Sequence, residues 1–467
     1  MNAYKALLLL TFFTLICSDI TYTSAYTYST KDCFAKGNVS FSKADENVIL
    51  VKDGGNFSMT NINVNKAGDA SDLDNANLYG INAAFLVLNS STSTIYESTI
   101  TTNGKGANAL FADGDKSKII IAESTITTKG SNSGLLATNS GTINPYRLEI
   151  STSGDSSPSL ATNNSGVIIC EWCKALTEGK DSPIVYSKGS IYLAYLNGSA
   201  LNSQMIVIDG PNTVKLRDSE LSSSSNSAGI FIYQSSERNG NEGRARFLTS
   251  DSSFTITDNS APMFYVTNTK VDIILLGNNN FKTESGVFLK VESNENWGTS
   301  GNNGGEVSLY ATNNQAIKGD IICGANSTIS IYLTEYSYIL GKITIIDNGI
   351  VNIYFDSSGV WELTGDSTVT NYQYNNEYNI DKKGFTLTGT VVNTLQSQSE
   401  LPESTYLNID SISDTNVTCT NKVPSGNNNN DDDDDDDFDD NDDESDSSKA
   451  KFIYINLLSL LFLILHL

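Results

Sequence analysis

Short runs of alternating apolar and polar residues fill the chain from about residue 40 to about residue 392. Phe57, Ser58, Met59 and Thr60 form one run, residues 84–88 a second and residues 118–121 a third, with Gly, Asn, Asp and Ser between them. Period-two alternation bounded by turn residues predicts strands. No segment reads as an amphipathic helix.

The runs repeat. Glu97, Ser98, Thr99, Ile100, Thr101 and Thr102 recur letter for letter 26 residues on, as Glu123, Ser124, Thr125, Ile126, Thr127 and Thr128. Gly104, Gly130, Gly154 and Gly179 follow the successive copies at spacings of 26, 24 and 25. A period of this size with two or three strands per unit predicts an all-β fold: a single-stranded right-handed parallel β-helix, a solenoid of about 25 residues per coil. Like residues then superpose from coil to coil. About 14 coils at about 4.8 Å each give a rod about 65 Å long. A propeller blade needs about 40–45 residues and antiparallel hairpins, so it ranks below.

The expected organisation is a signal peptide over 1–25, an N-terminal cap over 26–39 and the β-helix over 40–392. A linker over 393–430 and a disordered acidic stalk over 431–448 follow. The apolar segment 449–467 reads as a cleaved propeptide. Lys5 and the apolar run after it, ending in small residues near Ser24 and Ala25, have the order of a secretory leader. Small residues, a polar spacer and a short apolar tail have the order of GPI attachment, with Ser445 as the expected site and Asp443 or Asn441 as alternatives. The sequons at Asn38, Asn56, Asn89, Asn163, Asn197, Asn326 and Asn416 fit a secreted glycoprotein. Two polar insertions, 68–79 and 235–246, break the period.

Net charge is −25, and residues 431–446 carry 13 acidic side chains, so the body itself is only moderately acidic. That argues against a nucleic-acid partner. With Cys17 removed in the leader, Cys33, Cys170, Cys173, Cys323 and Cys419 remain, an odd set in an oxidising compartment. Cys170 and Cys173 have redox spacing but sit between strands, so a structural disulfide or two buried thiols is expected.

The only histidine is His466, inside the expected propeptide. Removal of that segment excludes Ser-His-Asp chemistry and His-ligated metals. The motifs of the β-helix polysaccharide hydrolases are not present. The five arginines are Arg147, Arg217, Arg238, Arg244 and Arg246. Arg244 and Arg246, two apart on one strand face, read first as part of a solvated loop with Glu237 and Glu242, and second as a grip for an acidic sugar. Asp69, Asp72 and Asp74, with Asn75, could gather oxygens around calcium, though without EF-hand spacing. No other cofactor is implied. Trp297, in a loop with Gly298, Gly301, Gly304 and Gly305, either caps the hydrophobic interior or stacks on a sugar. Trp361, alternating with Leu363, reads as core.

Four stretches carry a family resemblance: residues 78–84, which read Leu-Tyr-Gly-Ile-Asn-Ala-Ala; 263–269, Met-Phe-Tyr-Val-Thr-Asn-Thr; 296–305, Asn-Trp-Gly-Thr-Ser-Gly-Asn-Asn-Gly-Gly; and 361–367, Trp-Glu-Leu-Thr-Gly-Asp-Ser. In order and wording they resemble the adhesin-like β-helix proteins of gut bacteria and other anaerobes, over about residues 40–390. The resemblance implies a right-handed parallel β-helix at a cell surface and no particular activity. The GPI-type tail departs from the bacterial pattern and points to a eukaryotic owner. The functional expectation is a non-enzymatic, GPI-anchored protein of the outer leaflet that recognises glycans or other surfaces. The rivals are a polysaccharide lyase-like or carbohydrate-binding protein and a purely structural coat.

Overall fold

The computed structural model describes residues 20–130, 132–237, 243–393, 419 and 421–423. Most of the expected leader, Arg238, Glu242, Asn416 and the attachment candidates Ser445, Asp443 and Asn441 lie outside the described residues.

The body is the expected right-handed parallel β-helix. One sheet has 13 strands, running from Ser24–Tyr28 to Ile343–Ile345. A second has 23 strands and takes two from each coil through the middle of the rod. A third, of four short strands, starts at Ala316–Lys318 and closes the last coils. About 13 turns at about 4.8 Å give a rod of about 60 Å. Inward side chains from all coils merge into one core, with Ile100, Ile126, Ile150 and Leu110 among its fully or nearly fully buried members.

Each letter of the repeated hexapeptide has its own task. Strands Thr99–Thr102 and Thr125–Thr128 stack in register, Thr on Thr and Ile on Ile. Ile100 and Ile126 point into the core, and Thr102 and Thr128 are buried at its edge. Glu97 and Glu123 turn the corner between two strands with φ of 45° and 48°. Ser124 binds the corner together: its Oγ donates to Ala122 O at 2.7 Å and accepts from the Ser98 N–H one coil away at 3.0 Å. The corner residue itself varies, as Arg147, Trp172, Tyr195 and Asp218 at the same left-handed position.

The insertion 68–79 contains a helix that the alternation pattern does not show, α1 (Leu73–Tyr79). Asp72 caps it, accepting from the Asn75 N–H, and Gly80 ends it at φ 70°. Two turns are too short for a readable apolar period, and Leu73 and Leu78 are exposed. The helix lies where the 13-stranded sheet carries outward apolar residues: Leu50, Leu86, Phe111 and Leu136 form a second cluster, separate from the core. A Cβ on Gly80 would come within 2.7 Å of the Phe111 ring, which shows how closely the helix end sits on that face.

The ends differ from expectation. Residues of the expected cap already follow coil register, with Tyr26 opposite Ile49 and Cys33 opposite Ser58. The cover of this first coil comes from the far end of the chain. Cys419 is disulfide-bonded to Cys33, the Ala35 N–H donates to Asn421 O at 2.7 Å, and Val423 packs against the core. Residues 419 and 421–423 therefore belong to the folded body and not to a free linker. Cys170 pairs with Cys173. Cys323 is a buried thiol, pushed up to about 11 by that burial, so it is no nucleophile at neutral pH.

Asp113 gives the rod a pH signature. Burial pushes its carboxyl up to about 6, although Asn139 Nδ2 donates to it at 2.6 Å. The folded state thus holds the proton that the unfolded state releases near 3.8. Stability contributed by this group is present below about pH 4 and is lost as pH rises to about 6. Asp113→Asn is expected to stabilise the protein by about 2 kcal/mol at pH 7, with the gain shrinking toward pH 4. Urea titrations at pH 4 and pH 7 check it; a gain independent of pH would remove Asp113 as the cause.

Candidate functional site

Alternation on the 13-stranded sheet puts every second residue outside. In Ile230–Tyr233 the isoleucines enter the core, so Phe231 and Tyr233 face out. One coil on, Tyr265 stands opposite Phe231 and stacks on it at 5.5 Å, the ring planes 11° apart. Phe231 and Tyr233 are themselves parallel at 4.6 Å. The sheet thus carries a flat aromatic patch on a surface that a solitary β-helix would keep polar.

Over this patch folds the loop that follows Val287–Val291. Asn294 organises it, its Oδ1 accepting from the N–H groups of Asn296 at 2.7 Å and Trp297 at 2.6 Å, its Nδ2 donating to Thr267 Oγ1 at 2.6 Å. Asn303 closes the loop by donating to Trp297 O at 2.9 Å. Gly298 is required here: φ is 72°, and a Cβ would stand 2.3 Å from Asn268 Oδ1. The result is a partly buried Trp297 tilted over Tyr233 at 4.8 Å and Phe231 at 5.5 Å. It does not cap the interior.

Beside the aromatic patch runs an open groove of about 970 Å³, lined by Phe231, Tyr265 and Trp297 at one end. The turns of successive coils form the rest, among them those holding Asp155, Glu178, Asn202, Ser227 and Asp258. It crosses the turns of five successive coils, about 20 Å along the axis. Its rim is acidic: Asp155, Glu178, Asp181 and Asp258 stand against Lys180. Hydrogen bonds from the Ser260 hydroxyl and N–H hold Asp258 below the usual carboxylate range. Tyr265 is pushed up to about 12 by burial and by Glu292, and burial beside Asp209 likewise raises Tyr186. The Tyr265 phenol stays neutral and presents its ring to the groove.

The other candidates are scattered. Arg244 stands just before strand Ala245–Ser250 of the 23-stranded sheet, where Nε donates to Asp272 at 2.6 Å and Nη2 to Val271 O at 2.9 Å, with Glu306 and Ser308 also on its fork. That guanidinium is spent internally, so the acidic-sugar grip with Arg246 is not assembled at the groove. Asp69 accepts from the Lys105 N–H at 2.8 Å while Asp72 caps α1, so these two carboxylates serve different backbone groups and are not gathered with Asp74 around one point. No group of three His, Cys, Asp or Glu among the described residues is arranged to hold a metal. Trp361 is fully buried, its Nε1 donating to Gly341 O at 2.9 Å. Asn38, Asn56, Asn197 and Asn326 are exposed, and Asn89 and Asn163 partly so.

The patch partners Phe231, Tyr233 and Tyr265 are not singled out by sequence reasoning. The signal that finds them is an aromatic at an outward position on consecutive strands of one sheet. A second pair shows the same signature at the corner: Trp172, half exposed, stacks on Tyr195 at 3.9 Å, and Arg217 lies 5.1 Å from the same ring. No helix among the described residues is long and apolar enough to cross a membrane. No family model, curated protein or solved structure matches the chain.

Proposed function

We propose that this chain is a cell-surface recognition protein, held in the outer leaflet by a GPI anchor, whose β-helix binds glycans in the groove beside Trp297. The observation that supports it is the loop-held Trp297 over Phe231, Tyr233 and Tyr265, next to a long groove lined by Asn, Ser, Gln and Asp. Aromatic faces match the C–H faces of sugar rings, while short polar side chains match their hydroxyls. The groove runs along the axis, so a chain of several sugar rings can lie in it and add weak contacts coil by coil. Its acidic rim favours neutral or amine-bearing sugars and repels sulfated or carboxylated ones. The resemblance to adhesin-like proteins implies a place at a cell surface and no activity, and this reading assigns no reaction.

A glycan array probed with the glycosylated chain, with and without calcium, tests it. Binding to neutral or amino-sugar glycans, unchanged by calcium, is expected. Capture of no glycan, or of polyanionic glycans alone, would sink the reading. The anchor is tested separately: phospholipase treatment of expressing cells is expected to release the protein, and retention would refute the GPI attachment.

A further inference from the structure

We propose that the last coil of the rod is a homophilic contact: its final strand, Leu387–Val391, pairs antiparallel with the same strand of a second copy and so joins chains on facing membranes. The facing-membrane role rests on the anchor proposed above; the pairing itself does not.

The two ends of the rod are unlike. At the first coil the chain covers itself: Cys419 is bonded to Cys33, the Ala35 N–H donates to Asn421 O at 2.7 Å and Val423 packs against the core. At the last coil, among the described residues, Leu387–Val391 pairs with Ser367–Gln373 on one side and with no strand on the other. An inward column shows the consequence. Ile331, Ile353, Tyr372 and Val391 follow one another in register. Ile331 is 1% exposed and Ile353 0%, but Val391 is 49% exposed. Phe385, just before the strand, is 40% exposed. A core column and a row of backbone N–H and C=O groups thus end in solvent.

Exposed edges are usually blunted by charge or proline. This strand has neither and reads Leu-Thr-Gly-Thr-Val. Its order is self-complementary. Antiparallel pairing about Gly389 sets Leu387 opposite Val391 of the second copy and Thr388 opposite its Thr390. Leu387 packs against the core, and alternation puts Val391 on the same side with the two threonines outside. The pairing therefore continues the core of one rod into the next and matches hydroxyl with hydroxyl outside. A two-fold contact of this kind uses one patch on both copies and closes on itself. The covered first coil keeps the rods from adding head to tail into a fibre.

The placement of the ends makes the contact useful. Val423 sits at the first coil, and the acidic run and the attachment candidates follow it in sequence. The last coil lies about 60 Å along the rod from that point and is the end turned away from the membrane. Two five-residue strands bury less than a standard interface, so one pair is weak and many copies on a surface act together.

The pairing is tested with two forms of the full chain, Thr388→Cys and Thr390→Cys, under mild oxidation with oxidised glutathione. Their mixture is expected to give several-fold more disulfide-linked dimer than either form alone; equal yields overturn the pairing. Two dye-marked cell populations test the facing-membrane role, with surface staining to confirm display. Mixed aggregates are expected only when both populations carry the chain. They are expected to be lost with Thr388→Lys and Thr390→Lys together, which set like charges face to face at exposed positions. Aggregation by the lysine form, or equal aggregation with bare cells, overturns the role, the latter being what glycan capture in the groove gives. Absence of the chain from the cell surface sinks the anchor and this role with it, while the disulfide yield still decides the pairing.

Discussion

A Trp297→Ala chain is expected to fold normally and to lose about tenfold to a hundredfold in affinity for whatever glycan the unaltered protein captures. The ring stands on the outside, held by its own loop through backbone bonds from Asn294 and Asn303, so its removal leaves the loop scaffold and the core intact. What is lost is one face of a stacking site, worth about 1.5–3 kcal/mol by comparison with aromatic anchors elsewhere. The melting temperature is expected to stay within a few degrees. Trp361→Ala is the contrasting control. That side chain is fully buried and bonded to Gly341 O, so its loss is expected to cost about 3–5 kcal/mol of stability. Titration calorimetry or array intensity measures the first, thermal unfolding the second. A Trp297→Ala protein that binds as tightly as its parent would place recognition elsewhere, with the Trp172–Tyr195 stack the next place to look.

The fold was legible because a solenoid writes its register into its sequence. The exact copy of six residues sets Thr99 over Thr125 and Ile100 over Ile126, and nothing outside the coil is needed to see it. The site was legible by half. Trp297 stands out as a rare residue in a glycine-rich loop, but Phe231 and Tyr265 are distant in sequence and meet only through strand register. Two features were hidden for different reasons. Helix α1 is too short to display a period. The return of Cys419 to Cys33 depends on a pairing across 386 residues, which spacing cannot specify. Arg244 was misjudged because its partners, Asp272 and Glu306, come from the next two coils.

Gly179→Ala is expected to cost about 3 kcal/mol of stability, the largest loss from adding a single methyl group anywhere on the repeated face. A Cβ at this position would lie 1.8 Å from Gly154 O and 2.4 Å from its carbonyl carbon, both backbone atoms of the coil below. The coil cannot step aside, because the same contact recurs along the stack: a Cβ on Gly130 would meet Gly104 O at 2.1 Å, and one on Gly104 would meet Gly68 O at 1.9 Å. Relief requires the coils to part, which stretches the bonds from the Glu178 N–H to Thr152 O and from Ser182 Oγ to Gly154 O, each 2.9 Å. Gly286→Ala separates this steric cause from the conformational one. Its φ is 72° but nothing lies within 4 Å of a Cβ there, so about 1 kcal/mol is expected. Urea unfolding of both variants decides: equal losses would mean that the repeated glycine is kept for its backbone freedom. The larger loss at Gly179 would mean that it is kept so that one coil can rest directly on the next. Because Glu178 and Lys180 flank it on the groove, the same close contact also fixes where those side chains stand.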